Sequence, residues 1–328
     1  MRAASAALAG VLTIASLVTQ TVVPARADAS FPSRPMLLVV PAPAGGSADY
    51  FARVLGPKIA AATRQTVTVD NKPGATGVIG ARSVIGAAPD GYTVLLNSVA
   101  SVVVGPHLSS PPAFDSLTDL TPIVPIATVP AILVVRPDLG IKTLDELIKY
   151  AKANPGKLNA ASSGAGTLSS LNVALLQKET GIKLTHVPYK GAPPAINDML
   201  GGHIDLMFSD VSFFMNHVKA GKMVALAAAA PARIAVLPDL PTTAELGYPK
   251  LLAANVYCLY GPPKMPQEVT AKLNKLVRDA LNDPEVKTGF LRQSASVESM
   301  PAPEFAAMFK SEHGRFMSLL GDVASAVK

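Results

Sequence analysis

The sequence has no tryptophan, one cysteine and five histidines among its 328 residues. A single cysteine, Cys258, cannot form an intramolecular disulfide, whatever the redox compartment. It sits in an apolar stretch, where a lone thiol is ordinarily packing. The histidines, His107, His186, His203, His217 and His313, show no metal-ligand spacing, so neither a metal nor a cofactor is expected. There is no basic run and no tryptophan for base stacking, which argues against a nucleic-acid partner. The formal charge of +6 falls to +4 once Arg2 and Arg26 are set aside, a mild excess that favours small anions by steering. Downstream of the N-terminus no apolar run is a convincing membrane span, because Gly, Pro or a charge interrupts each one every few residues.

What is present begins with a targeting segment. Arg2 supplies a short positive region, Ala6 to Val23 carries no charge, and "PARA" places Ala25 and Ala27 at the −3 and −1 positions of a cleavage site. Residues 1–27 therefore read as a secretory signal peptide, too short and too rich in Ala, Ser and Thr for an anchor. With no cysteine near the processed end, a lipoprotein is not expected. Roughly 300 residues remain, ample for a buried core and suggestive of two lobes.

Apolar strands then alternate with amphipathic helices. "MLLVVPAP" reads as a buried strand, with a helix from about Ser47; "TVTVDNKPG" and "YTVLLNS" are further strands around the helix "GVIGARSVIGAAPDG". "TVPAILVVRPDLG" is a strand, and "TLDELIKYAKANPG" a helix with Thr143 as N-cap and Glu146 completing a capping box. "QEVTAKLNKLVRDALNDPEV" reads as one long helix, followed by a last one from about Ala302 with Phe305, Phe309, Phe316 and Leu319 on a common side. Strand–helix alternation with short loops predicts an α/β fold whose sheets are largely parallel.

Two glycine turns carry the chemistry. "PAPAGGSAD" and "SSGAGT" each end an apolar strand and open a helix, where free N–H groups and the positive end of the helix dipole point outward. Such a turn can cradle phosphate, capture a carboxylate or merely cap its helix. Walker A needs Lys and Ser/Thr after its last glycine, but Ser47-Ala48 and Thr167-Leu168 follow instead. The dinucleotide fingerprint lacks its third glycine in "GAGTLS", and no G-x-S-x-G elbow is present, so neither a nucleotide enzyme nor a serine hydrolase of that type is indicated. Two such turns facing each other across a cleft would grip the two ends of a dianion.

These residues belong to a wider set. Over essentially the whole mature chain, "FPSRPMLLVVPAPAGGSAD", "VDNKPGATGVIGA", "AAPDGYTVLL", "YAKANPGKLNAASSGAGT", "HVPYKGAPPAINDMLGGHIDLMF", "HVKAGKMVALA" and "LPDLPTTAELGYP" resemble the receptor component of tripartite tricarboxylate transporters, the Bug-type extracytoplasmic solute receptors. The resemblance implies a two-lobed periplasmic binding protein of the Venus-flytrap, type II-like kind, each lobe a mixed sheet flanked by helices, with two crossing strands. Those crossings fall near Pro130 to Arg136 and near Ala254 to Gly261, giving lobe one as 28–130 with 255–328 and lobe two as 131–254. It also implies a monomeric, non-catalytic periplasmic receptor for a small organic acid. Its partner would be the membrane permease subunits or, alternatively, a sensor kinase; a secreted α/β enzyme is the third reading.

Carried over position by position, the ligand contacts are Ala42, Ala44, Gly45, Gly46, Ser47, Asn97 and Ser98 in the first lobe, and Ser162, Ser163, Gly166, Thr167, Tyr189, Ser209 and Asp210 in the second. Asp49 is expected to cap its helix, and Lys190 to be a solvated turn residue. At a strand end, Asp210 is expected either to fix an amino or ring nitrogen of the ligand or to cap its loop. Relatives usually carry an aromatic at Ala42 and often a Trp at Val256, so the cleft is expected to admit an aromatic or heteroaromatic carboxylate. Pro57 is expected to bend or shorten the first helix, because its ring meets the Arg53 carbonyl.

Overall fold

The computed structural model describes residues 31–230, 232–251 and 254–327; the expected signal peptide lies outside the described residues. The first strand, β1 (Met36–Val40), leads through the glycine turn into α1 (Ser47–Thr63). Then follow β2 (Val67–Asn71), α2 (Val78–Ile85), β3 (Thr93–Ser98) and α3 (Val99–Val104). A long strand, β4 (Thr121–Val135), leads into α4 (Leu144–Ala153). The same rhythm then repeats through β5 (Asn159–Ser162), α5 (Leu168–Thr180), β6 (Thr185–Pro188), α6 (Ala192–Leu200), β7 (Leu206–Asp210), α7 (Val211–Lys219) and β8 (Val224–Ala229). The chain closes with β9 (Ala254–Gly261), α8 (Gln267–Leu281), α9 (Pro284–Arg292), the short β10 (Ser296–Val297) and α10 (Ala302–Val327).

Strand pairing makes this a mixed, two-lobed α/β fold. In one lobe β1 lies parallel between β2 and β3, and β9 enters antiparallel between β3 and β4. In the other, β5 lies parallel between β6 and β7, and the end of β4 enters antiparallel between β7 and β8. The two sheets thus share one plan, three parallel strands plus an inserted antiparallel one. Strand β4 serves both: Thr121 to Pro130 pairs with β9, and Ala131 to Val135 with β7 and β8. Its prolines mark where the ladder changes. Proline donates no N–H, and the register of β4 against β9 shifts beside Pro122 and Pro125. Pro130 is the last residue before β4 changes partners.

Period-two alternation sorts the core onto two faces. Leu133 and Val135 of β4 join one apolar cluster, with Val39, Leu95, Cys258 and the α10 aromatics Phe305, Phe309 and Phe316. Ile132 and Val134 join the other, with Val40, Phe51, Leu96, Met207 and Phe290. On α10, Leu320 is buried and Leu319 only partly, so the buried stripe runs one residue further than the sequence pattern indicates.

Two expected details differ. Helix α1 continues through Pro57 for 17 residues instead of stopping there, and Gly56 beside it packs flat against Val67. The helix expected from Gln267 to Val286 is two helices. Asp283 accepts from the Glu285 N–H at 2.8 Å and Pro284 takes the first helical position, so an N-cap and a proline restart the chain. The capping box at Thr143 and Glu146 forms as read, with both reciprocal bonds present.

Candidate ligand-binding cleft

Where the C-terminal strand ends of the two lobes meet, a cavity of about 120 Å³ opens. Each lobe contributes the turns that follow its parallel strands. From β1–α1 come Ala42, Gly46, Ser47 and Ala48; from β3–α3, Asn97, Ser98 and Ser101. The second lobe supplies Ser163, Thr167 and Ser169 after β5, Gly191 and Ala192 after β6, and Ser209, Asp210 and Phe213 around the end of β7. Asn255 and Tyr257 enter from β9. The N–H groups of the first turns of α1 and α5 have no carbonyl four residues back, so both helices present donors at this wall. Among the described residues, hydroxyls, amides and one carboxylate line the cavity, and no Lys, Arg or His is part of the wall.

The carboxylate is Asp210, only 1% exposed. Its Oδ2 accepts from the Ser47 hydroxyl at 2.6 Å and the Tyr257 hydroxyl at 2.7 Å, and its Oδ1 from the Asn255 amide at 2.5 Å. Asp210 stands at the N-cap of α7 without capping it, so the loop-cap reading does not hold: its bonds reach across to α1 and β9. Burial pushes its carboxyl above the ordinary range, and the three neutral donors pull it back without reversing the shift. Burial also pushes the Tyr257 phenol up, and the Asp210 charge adds to that.

Asp49 has the opposite surroundings. It is buried in the first turn of α1, accepts from the Gly45 N–H at 3.0 Å, and pairs with Arg53 one turn on. Burial raises its carboxyl, but the bonds from Arg53, Gly45 and Asn71 outweigh that and the net direction is downward. Asp49 is therefore structural. It also ties down one of the glycine N–H groups that an anion could have used.

Nine of the expected contacts line the cavity: Ala42, Gly46, Ser47, Asn97, Ser98, Ser163, Thr167, Ser209 and Asp210. Five do not reach its wall. Ala44 and Gly45 are exposed. The Ser162 hydroxyl is buried behind the turn, accepting from the Gly164 N–H at 3.3 Å and lying 2.8 Å from His186 Nε2. The Tyr189 hydroxyl donates to Asp198 at 2.6 Å, and burial followed by that acid pushes the phenol up to about 12. Gly166 instead forms a contact between the lobes: a Cβ there would lie 2.9 Å from Leu108 Cδ1 and 3.1 Å from Thr76 Cγ2. Lys190 is exposed, as expected. Thr167 lines the wall, but its hydroxyl proton goes to the Gly164 carbonyl at 2.7 Å while its oxygen caps α5.

Sequence reasoning missed Asn255 and Tyr257. They share one face of β9, and Val256 between them packs into the opposite cluster rather than lining the cavity. Two polar side chains at alternate positions of an apolar strand were the available signal. A larger groove of about 560 Å³ lies along β8 and residues 236–241, but it belongs to one lobe. Its one helix start, Thr143, is already capped by Glu146.

Residues 51–320 match the model of the tripartite tricarboxylate transporter family receptor. The chain belongs to that family. This tripartite tricarboxylate receptor is 33% identical over 306 residues to the protein BugT of Bordetella pertussis, covering 93% of this chain and 94% of BugT. Its fold superposes on the periplasmic binding protein BugD with a TM-score of 0.83 at 33% identity, covering 90% of this chain and 99% of BugD. MatC of Rhodopseudomonas palustris, solved with bound malate, gives a TM-score of 0.82 at 29% identity, covering 88% of this chain and 100% of MatC. The family is one of solute-binding receptors, and among the described residues no helix of this receptor is long and apolar enough to cross a membrane.

Proposed function

We propose that this chain is a non-catalytic receptor that closes its two lobes on a small organic acid and presents it to the permease subunits of a tripartite tricarboxylate transporter. One feature carries this reading: a wall drawn from both lobes in which neutral hydroxyls, amides and helix N-termini face the cavity. Charge-assisted hydrogen bonds from such donors contribute about 1.5–3 kcal/mol each, so a few of them hold a carboxylate without a salt bridge. The wall's one acid is already occupied by Ser47, Asn255 and Tyr257, which supports a binding role over turnover.

Ligand clefts for drug-sized molecules hold about 300–1,000 Å³. A cavity of about 120 Å³ supports an acid near malate in size over the bulkier aromatic or heteroaromatic acid that Ala42 alone invites. On this reading 28–130 with 255–328 forms one lobe and 131–254 the other, residues 1–27 are removed on export to the periplasm, and the receptor acts as a monomer. A thermal-shift screen of the purified mature protein tests the proposal. C4 to C6 dicarboxylates raise the melting temperature by mass action, with aromatic acids doing so less. No shift with any carboxylate from a folded sample would falsify it.

A further inference from the structure

We propose that Asp210 takes up a proton when the carboxylate ligand enters, and that this turns the Ser47 hydroxyl from a donor to Asp210 into a donor to the ligand. The inference rests on the receptor reading above and deepens it.

Asp210 and the site of an anionic ligand share one small cavity of about 120 Å³. The acid is 1% exposed, and all three of its partners are neutral donors. Among the described residues no cation faces it from the elements packed around it. Helix α1 offers Ser47, while its ionised pair, Asp49 and Arg53, is turned to Gly45 and Asn71. Strand β9 offers Asn255 and Tyr257, and β4 faces Asp210 with Ala131. The turn after β5 offers Ser163, Thr167 and Ser169, and α6 and α7 offer Ala192 and Phe213. Tyr257 is thus the other titratable group in the wall, and burial with the Asp210 charge makes it keep its proton. Two carboxylates brought together in such a site cannot both stay ionised, and one of them binds a proton. Asp210 is the better acceptor, because burial already pushes its carboxyl upward while the ligand can lean on the helix N-termini.

The hydrogen-bond geometry says what the proton does. In the ionised state both hydroxyls spend their protons on Asp210 Oδ2, so neither is available to an anion. A proton on Oδ2 makes Asp210 a donor to the Ser47 oxygen 2.6 Å away, and the Ser47 hydroxyl hydrogen is released toward the cavity that Ser47 lines. One proton bound removes a charge that repels the ligand and supplies a donor that attracts it. The latch between α1 and β7 keeps its length, with its polarity reversed.

Calorimetric titration of the mature protein with malate tests this, between pH 6.5 and 8.5 in buffers of different ionisation enthalpy. The expected result is uptake approaching one proton per malate, with affinity falling toward tenfold for each unit of pH. In Asp210→Asn, whose amide imitates the protonated acid, both dependences vanish. His186 lies behind the wall on Ser162, so His186→Gln is expected to retain the uptake. Binding with heats independent of buffer and affinity independent of pH overturns the inference and leaves the receptor reading standing. So does a preference for aspartate over malate that D210N abolishes, since the acid would then be pairing with an amine. Absence of binding by malate and every other dicarboxylate overturns both. The wild-type proton count decides the question even where D210N fails to fold.

Discussion

Asp49 and Asp210 are both buried acids at the start of a helix beside the same cleft, yet they differ in depth and in neighbours, Asp210 being the more deeply desolvated. Asp49 has a cation one helical turn away and a backbone N–H at 3.0 Å; Asp210 has three neutral donors and no cation. Their carboxyls move in opposite directions as a result, Asp49 below its ordinary range and Asp210 above it. At Asp210 desolvation outweighs the three neutral hydrogen bonds, whereas at Asp49 the bonds from Arg53, Gly45 and Asn71 outweigh it. The first lobe's acid is part of the scaffold. The second lobe's acid keeps a charge that it can lose.

The most damaging way to break this contrast is Asp49→Ala. It removes the acceptor of the Gly45 N–H and the partner of Arg53, both of which water can reach, at an expected cost of about 1–2 kcal/mol in chemical denaturation. The pH dependences of the two acids oppose one another. A lowered folded pKa makes the Asp49 contribution fully present above its unfolded value near 3.8 and lost as pH falls through the lower folded value. The raised folded pKa of Asp210 has the reverse sign: its cost is absent below 3.8, grows as pH rises toward the folded value, and is complete above it. Melting curves of Asp49→Asn and Asp210→Asn across acid pH are expected to change slope in opposite directions.

The two glycine turns give the next test. Gly45 has φ +87° with nothing within 4 Å of an added methyl, so Gly45→Ala carries backbone strain alone, about 1 kcal/mol. Gly166 has φ +69° and would also push a methyl against Leu108 and Thr76 of the other lobe. Gly166→Ala is therefore expected to hold the lobes apart, seen as a larger radius of gyration by small-angle scattering and at least a tenfold loss of ligand affinity. Equal effects of the two substitutions would remove Gly166 from the closing surface. The smallest expected effect is Tyr257→Phe, which deletes one neutral donor to Asp210. It is expected to cost about 1 kcal/mol in denaturation and to move the Asp210 transition to higher pH.

Much of this fold was legible because its signals are local. Alternating apolar runs marked β1, β3 and β4, the capping box marked the start of α4, and the two glycine turns pointed to cavity-lining positions in both lobes. Pro57 misled because a helix held by Phe51, Leu55 and Ile59 in the core tolerates one missing N–H. At Asn282 to Pro284 the Asp-Pro pair signals a new helix start, but the apolar period running on to Val286 masks it. Ser47 and Asp210 were both expected at the cleft, but their pairing with each other and with Asn255 and Tyr257 was not readable. Ser47 lies 163 residues away from Asp210 in sequence, and Asn255 and Tyr257 lie 45 and 47 away; only the sheet order brings them together. Tyr189 sits in a turn of the right lobe, but its hydroxyl is claimed by Asp198, which lies only nine residues on.

On the receptor reading, turns from both lobes hold the ligand at once. Amide hydrogen exchange, with and without a dicarboxylate that raises the melting temperature, tests it most directly. Ligand is expected to slow exchange together at Ser47 to Asp49, at the start of α1, and at Leu168 and Ser169, at the start of α5, where the Ser170 N–H already bonds the Thr167 oxygen. Slowing at only one of these turns, or at neither while the melting temperature still rises, would contradict it.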